Sequence, residues 1–270
     1  MRQCCFGTPA GIDLFPFCMD FTMKVFTHDD FKDVYTGDPA ASRGRIEAVL
    51  EAIRGEVEIE PALPAGRDDI LAVHTKSLVA SVEREGLYKI AALAAGAAIQ
   101  TAVASLNEPA FGLIRPPGHH ASADSHWGFC YFNNMAIALE HLRSKGFIKK
   151  AHVLDFDLHY GDGTVNILGG KSYVSIHNPD EGDRRRYLKE VAARLEALDV
   201  DIIGVSAGFD NHIEDWGRLL FTEDYQEMGR MVRDRCRQLG IGCFGLLEGG
   251  YNHSVLGLNV LAFLRGLQGL

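Results

Sequence analysis

Three side chains at alternate positions, Asp155, Asp157 and His159, close the apolar run that begins at Val153. In an extended strand, side chains two apart share a side, so this spacing predicts two carboxylates and an imidazole converging on one site. Burying two like charges beside a histidine is costly unless a cation neutralises them, and the pattern therefore asks for a metal. Asp210, at the end of Ser206-Ala207-Gly208-Phe209-Asp210, completes a set of two oxygens and one nitrogen with Asp157 and His159. Three protein ligands with an open position suit a catalytic zinc rather than a structural one. Without cysteine in the set, iron(II), cobalt(II) and manganese(II) fit the same donors.

A second group of residues could move protons. His119 and His120 are adjacent in a loop stiffened by Pro116 and Pro117, and two imidazoles beside an activated water suit proton transfer. Asp155 and Asp162 are left over once the metal is satisfied; a carboxylate on one imidazole nitrogen fixes the tautomer and raises the basicity, so one carboxylate per histidine is expected. Tyr251, delivered by Gly249-Gly250, could point a phenol at a substrate carbonyl oxygen where charge develops. Gly128 and Phe129, with Trp127 beside them and Gly249 opposite, would line a narrow substrate channel. Each motif alone has a bland reading: a lone Asp-x-His is usually solvated, a lone Gly-Gly-Tyr is usually a turn, and Trp127 or Phe129 alone is usually core. Their joint placement after successive strands argues for one site.

The elements that would position these residues alternate. Short apolar strands are expected near Lys24 to Thr27, Phe111 to Ile114, Ala151 to Asp155, Tyr173 to Ile176, Asp201 to Ser206 and Cys243 to Leu247. Helical periodicity marks Ser42 to Arg54, Lys76 to Glu85, Ile90 to Ser105, Asn133 to Lys145, Arg184 to Ala197, Thr222 to Leu239 and Val255 to Leu267. The small-residue stretch Ala91 to Ala98 implies close helix packing. Such alternation predicts a single-domain, three-layer α/β fold with a mainly parallel central sheet flanked by helices. Ligands of such folds collect beyond the carboxyl ends of the strands, where all the polar loops named above fall.

Composition sets outer bounds. With 270 residues, 47% apolar and 23% charged, the chain can bury one sizeable core. Its formal net charge of −9 argues against general nucleic-acid binding. Six cysteines without a CxxC pair suggest reduced thiols in a cytoplasm. Neither a spanning apolar run nor a secretory leader is legible, so no membrane role is expected. Residues 1–22 have no periodicity and read either as an upstream start or as a partner-binding tail, ahead of a catalytic domain over residues 23–270.

Five ordered motifs carry a family resemblance: Arg115-Pro116-Pro117-Gly118-His119-His120-Ala121, Gly128-Phe129-Cys130-Tyr131-Phe132-Asn133-Asn134, Asp155 through Gly163, Ser206 through Asp210, and Leu247-Glu248-Gly249-Gly250-Tyr251. From Met23 to Leu270 the chain resembles the zinc-dependent histone deacetylase and acetylpolyamine amidohydrolase superfamily, which shares its fold with arginase. The resemblance implies zinc at Asp157, His159 and Asp210, dyads of His119 with Asp155 and His120 with Asp162, and Tyr251 as the carbonyl-polarising phenol. It also implies a potassium ion near the zinc, here at Asp155, Asp157, His159, Ser175 and Ile176. The chain departs from the family after Ile176, where His177 to Asp183 runs straight into a helix in place of a longer aromatic loop. A shallow or one-sided channel is the consequence.

The expected reaction is metal-assisted hydrolysis of short acyl amides, acetyl-lysine side chains first and small acetylated amines such as acetylpolyamines as the alternative. His120 or His119 would take a proton from water. Two other classes fit the residues less well. A non-catalytic acyl-lysine binding module would have lost a ligand or the tyrosine, and all are present. An arginase-like ureohydrolase would need a second carboxylate and histidine cluster. The sequence assigns no oligomeric state.

Overall fold

The central strands are short, mainly apolar and almost wholly buried, which is possible only where both faces of a sheet are covered. The computed structural model describes residues 23–270, and the leader expected over residues 1–22 lies outside them. Among the described residues there are seven strands: β1 Lys24–Thr27, β2 Glu58–Pro61, β3 Ala110–Gly112, β4 Ala151–Asp155, β5 Val174–His177, β6 Ile202–Ala207 and β7 Gly242–Leu247. They form one sheet in the order β2-β1-β3-β7-β6-β4-β5, and every adjacent pair is parallel. Every residue of β4 and β6 is buried, whereas the edge strand β2 is largely exposed.

The α-helices are α1 Arg45–Ala52, α2 Arg67–Leu71, α3 Lys76–Arg84, α4 Tyr88–Ala104, α5 Asn134–Ser144, α6 Asp162–Leu168, α7 Arg184–Glu196, α8 Thr222–Leu239 and α9 His253–Gln268. Side-chain caps set several of their starts. Asn133 accepts from the Ala136 N–H at α5, Asp183 from the Arg186 N–H at α7, and Asn252 from the Ser254 N–H at α9. The cap at Asn252 begins α9 two residues ahead of its apolar periodicity. In contrast, α1 starts three residues later than its pattern predicts, because Pro39–Ala41 forms a 3-10 turn and Gly44 takes φ +86° just before the helix.

Three elements were not legible as such. Strand β2, Glu-Ile-Glu-Pro, is too polar to stand out, and it forms by pairing with β1 at the sheet edge. Helices α2 and α6 are five and seven residues long, below the span over which periodicity is readable. One correction bears on the site: β4 stops at Asp155, so Asp157 and His159 lie in bends beyond it and not on an extended strand.

The loop between β3 and α5 is fastened by a buried histidine. The Asn133 N–H donates to His74 Nε2 at 2.8 Å, and His74 Nδ1 lies 2.9 Å from the Ser122 carbonyl oxygen. That arrangement requires a neutral ring with its proton on Nδ1, and burial pulls the His74 pKa down to about 4. Protonation would set an N–H against the Asn133 N–H. Because the folded value is depressed, the stabilisation is complete above the unfolded histidine value and is lost as pH falls towards 4. Lowering the pH from 7 to 5 should therefore remove about 2 kcal/mol through this group. Urea unfolding of wild type and His74→Gln at both pH values measures it; equal pH slopes in the two proteins would remove His74 from the account.

Candidate functional site

Four neighbouring strands, β3, β7, β6 and β4, deliver their C-terminal loops to one edge of the sheet. His119 and His120 follow β3, Glu248 to Tyr251 follow β7, Asp210 follows β6, and Asp157 and His159 follow β4. The pattern is the one expected at the carboxyl edge of a parallel sheet.

The first cluster to assemble there is Asp157, His159 and Asp210, each offering a ligand atom within 4.8 Å of the others. Both carboxylates are buried and the imidazole is partly open. Asp157 Oδ1 accepts from the His159 N–H at 2.9 Å and lies 3.3 Å from His159 Nδ1, while Asp157 Oδ2 accepts from the Gly249 N–H at 2.7 Å. Asp210 Oδ1 accepts from the Leu158 N–H at 3.1 Å. Among the described residues Asp210 Oδ2 is buried without a hydrogen bond, although it lies 3.0 Å from His159 Nδ1. Hydrogen bonds to Asp157 and Asp210 raise His159 to about 10, and burial together with the charge of Asp157 lifts Asp210 to about 6. An orphaned oxygen and a potential this negative suit a divalent cation held by these three residues.

Two imidazoles stand beside this cluster in unlike surroundings. His119 Nδ1 lies 3.1 Å from Asp155 Oδ2, and its Nε2 lies 3.8 Å from Asp157 Oδ1. Burial alone would depress it, but Asp157 and Asp155 outweigh that and hold it well above the usual range. His120 Nδ1 lies 2.6 Å from Asp162 Oδ1, yet burial and the neighbouring His119 bring it down to about 4. Burial also pushes the Tyr251 phenol far up, helped by the charges of Asp157 and Asp210, so it stays protonated.

Glu248 was not singled out in the sequence beyond its place in a motif. It is fully buried, accepts from the Gly118 N–H at 2.7 Å and the His119 N–H at 3.2 Å through Oε2, and accepts from Ser206 Oγ at 3.1 Å through Oε1. It also groups with His119 and Cys130 as a second set of potential donors, which the sequence did not reveal. Arg45, equally buried, donates from Nε to the Gly250 oxygen at 2.8 Å and from Nη2 to the Glu248 oxygen at 2.6 Å. A carboxylate three residues before a tyrosine was readable; its backbone partners, 130 residues away in the chain, were not.

The residues expected to line a channel divide. Trp127 lies on His120, with centroids 4.0 Å apart, and its Nε1–H donates to Asp162 Oδ2 at 2.9 Å. Phe129 meets Tyr251 edge-on at 6.1 Å. Gly128 has φ +57°, and a Cβ there would fall 2.4 Å from the His120 ring, so the backbone itself flanks that histidine. Gly249 is buried against the carboxylates: a Cβ would fall 2.6 Å from Asp157 Oδ2 and 2.7 Å from Asp210 Oδ2, so its backbone packs directly on the cluster. Trp216, absent from the sequence reading, stacks on Tyr251 at 4.0 Å and meets His159 edge-on at 5.9 Å. Ser175 and Ile176 sit on β5 opposite His152 and Val153, behind Asp155, and Ser175 Oγ lies 2.8 Å from His152 Nδ1.

Residues 83–187 match the histone deacetylase domain family. A probable deacetylase of Methanothermobacter thermautotrophicus is 34% identical, over 84% of this chain and 85% of its own. An acetylpolyamine amidohydrolase of Mycoplana ramosa is 32% identical, over 62% of this chain and 59% of its own. Among solved structures, the crystal structure of the HDA15 HD domain superposes with a TM-score of 0.81 at 23% identity, covering 92% of this chain and 90% of that one. No helix among the described residues is long and apolar enough to cross a membrane.

A cation that binds only the folded chain adds its binding energy to stability. Zinc at about 100 times its Kd should raise the unfolding free energy by about 2.7 kcal/mol. Thermal unfolding with and without the ion measures the increment, and Asp210→Asn should lose most of it. An undiminished response in that variant would exclude Asp210 as a ligand.

Proposed function

This chain belongs to the histone deacetylase family, and on that premise we propose that it is a zinc-dependent deacylase of acetyl-lysine-type amides, with residues 23–270 as one catalytic domain. It is a hydrolytic deacetylase by its relatives. The observation that carries the finer reading is the Asp157, His159 and Asp210 cluster with two histidine and carboxylate pairs beside it. Zinc at those three residues would supply Lewis-acid polarisation of the acyl carbonyl and a positive charge for the oxyanion. Oxygen donors from Asp155, Asp157, His159, Ser175 and Ile176 would suit the potassium ion that the family resemblance implies.

The chain's own groups divide the proton work. His120 is neutral and held through Nδ1 by Asp162, which leaves Nε2 to accept a proton from the attacking water. His119, charged and held by Asp155, is placed to give a proton to the departing amine. Tyr251 keeps its proton and donates to the oxygen on which charge develops. Trp127 fixes Asp162 and covers His120 from water.

Small acetylated amines are the second reading. The net charge of −9 and the amidohydrolase relative favour a cationic polyamine product. Comparing kcat/KM for an acetyl-lysine peptide and an acetylpolyamine separates the two, and a higher value for the polyamine would replace the first reading. A cytoplasmic setting is part of the proposal, since six cysteines without a CxxC pair fit reduced thiols.

Tyr251→Phe removes a single donor. Turnover of a fluorogenic acetyl-lysine amide should fall by about two to three orders of magnitude, with zinc content measured by mass spectrometry unchanged. Full turnover in the variant would take the phenol out of the mechanism.

A further inference from the structure

Trp216 has no part in the mechanism above, yet its position is tightly built. Its indole lies flat on the Tyr251 ring, centroids 4.0 Å apart and planes at 22°, while 49% of its surface stays open. One buried carboxylate binds the backbone of both residues. Asp215 Oδ1 accepts from the Trp216 N–H at 2.8 Å, and Asp215 Oδ2 accepts from the N–H groups of Tyr251 and Asn252, each at 2.8 Å. The turn is also tied to the cluster's own loop, because the Gly217 N–H donates to the Asp210 carbonyl oxygen at 2.8 Å.

Tyr251 needs such support. It follows two glycines, the second at φ +114°; Asp157 and Arg45 hold that backbone through the Gly249 N–H and the Gly250 oxygen, but these bonds do not fix the direction of the ring. Its other ring contacts are looser: Phe129 edge-on at 6.1 Å and the Arg45 guanidinium 5.6 Å from the centroid. Among the described residues the flat face against Trp216 is the closest aromatic contact the phenol makes.

We infer that Trp216 is a positioning residue for Tyr251, holding the phenol towards the Asp157, His159 and Asp210 cluster, so that it governs turnover and not substrate affinity. The inference rests on the role proposed for Tyr251. An aromatic pair of this geometry corresponds to about three-fold to ten-fold in an equilibrium or a rate. Trp216→Ala in the zinc-loaded full chain should therefore lower kcat by about that factor with KM unchanged. Trp216→Phe, which can still stack, should restore most of the loss. In a Tyr251→Phe background Trp216→Ala should cost nothing further, since the phenol oxygen through which it acts is gone.

A raised KM at constant kcat would make the indole a binding wall and overturn the inference. So would an equal loss in the Tyr251→Phe background. The stack has a readout that needs no turnover. The chain has two tryptophans, so 5-fluorotryptophan labelling gives two fluorine resonances, assigned with Trp127→Phe and Trp216→Phe. Tyr251→Ala should shift the Trp216 resonance and leave that of Trp127 in place. An unmoved Trp216 resonance would refute the stack, whereas a shifted one in a chain inactive on acetyl amides would locate the failure in the proposed reaction and end the positioning role with it.

Discussion

Two buried carboxylates that cannot both keep their charge without a cation set the terms for this protein. Asp157 and Asp210 are buried in loops at the sheet's carboxyl edge, where an unpaired ion costs several kcal/mol. Their shared negative potential pulls His159 far above its ordinary range. Hydrophobic burial alone would select against such a pair. The loops around it must therefore provide hydrogen bonds to every oxygen they can reach and leave one direction open to a cation, which is the pattern seen at Asp157 and at Asp210 Oδ2.

Holding those loops is a second problem, because each leaves a different strand and each would be mobile if joined only to its own element. Buried polar side chains solve it by satisfying backbone groups on another loop. Glu248 binds the N–H groups of Gly118 and His119, Arg45 binds the carbonyl oxygens of Glu248 and Gly250, and Asp215 binds the N–H groups of Trp216, Tyr251 and Asn252. Arg115 does the same below them, donating to the carbonyl oxygens of Ser42 and Asp33 at 2.8 and 3.0 Å. Each bridge offsets the desolvation of a buried charge with two or more hydrogen bonds, so truncating any one of them would leave both a charge and backbone groups unsatisfied.

What was legible in the sequence follows from this division. The cluster residues sit in short contiguous motifs at strand ends, so Asp157, His159, Asp210, the two histidines and Tyr251 could be named from spacing and residue type alone. Long, strongly periodic helices such as α8 were also readable to the residue. The bridging residues were not, because Arg45 and Glu248 act through backbone groups, and a backbone group has no letter. Trp216 was invisible for a related reason: nothing in Glu214-Asp215-Trp216-Gly217 says that the indole will meet a tyrosine 35 residues onward. The strand bounds Ala151 to Asp155 were legible, but the alternation of Asp155, Asp157 and His159 does not reflect extension past them. The strand ends at Asp155, and bends bring the two side chains together, with the His159 N–H bonded to Asp157.

The adjacent histidines show how the same letters acquire opposite chemistry. Neither spacing nor composition separates His119 from His120, and the sequence left their roles interchangeable. In the fold, His119 sits between Asp155 and Asp157 with its backbone held by Glu248, an environment that retains a proton. His120 is turned towards Asp162 and covered by the indole of Trp127, and the neighbouring charge on His119 opposes a second one. Two imidazoles with ring centroids 4.1 Å apart cannot easily be charged together, so the proton on one enforces neutrality on the other. An acid and a base side by side thus require no difference between the two side chains, only carboxylates placed unequally around them. That inequality comes from where β4 ends: Asp155, its last residue, faces His119, while Asp162 opens the next helix and reaches His120 from outside the strand.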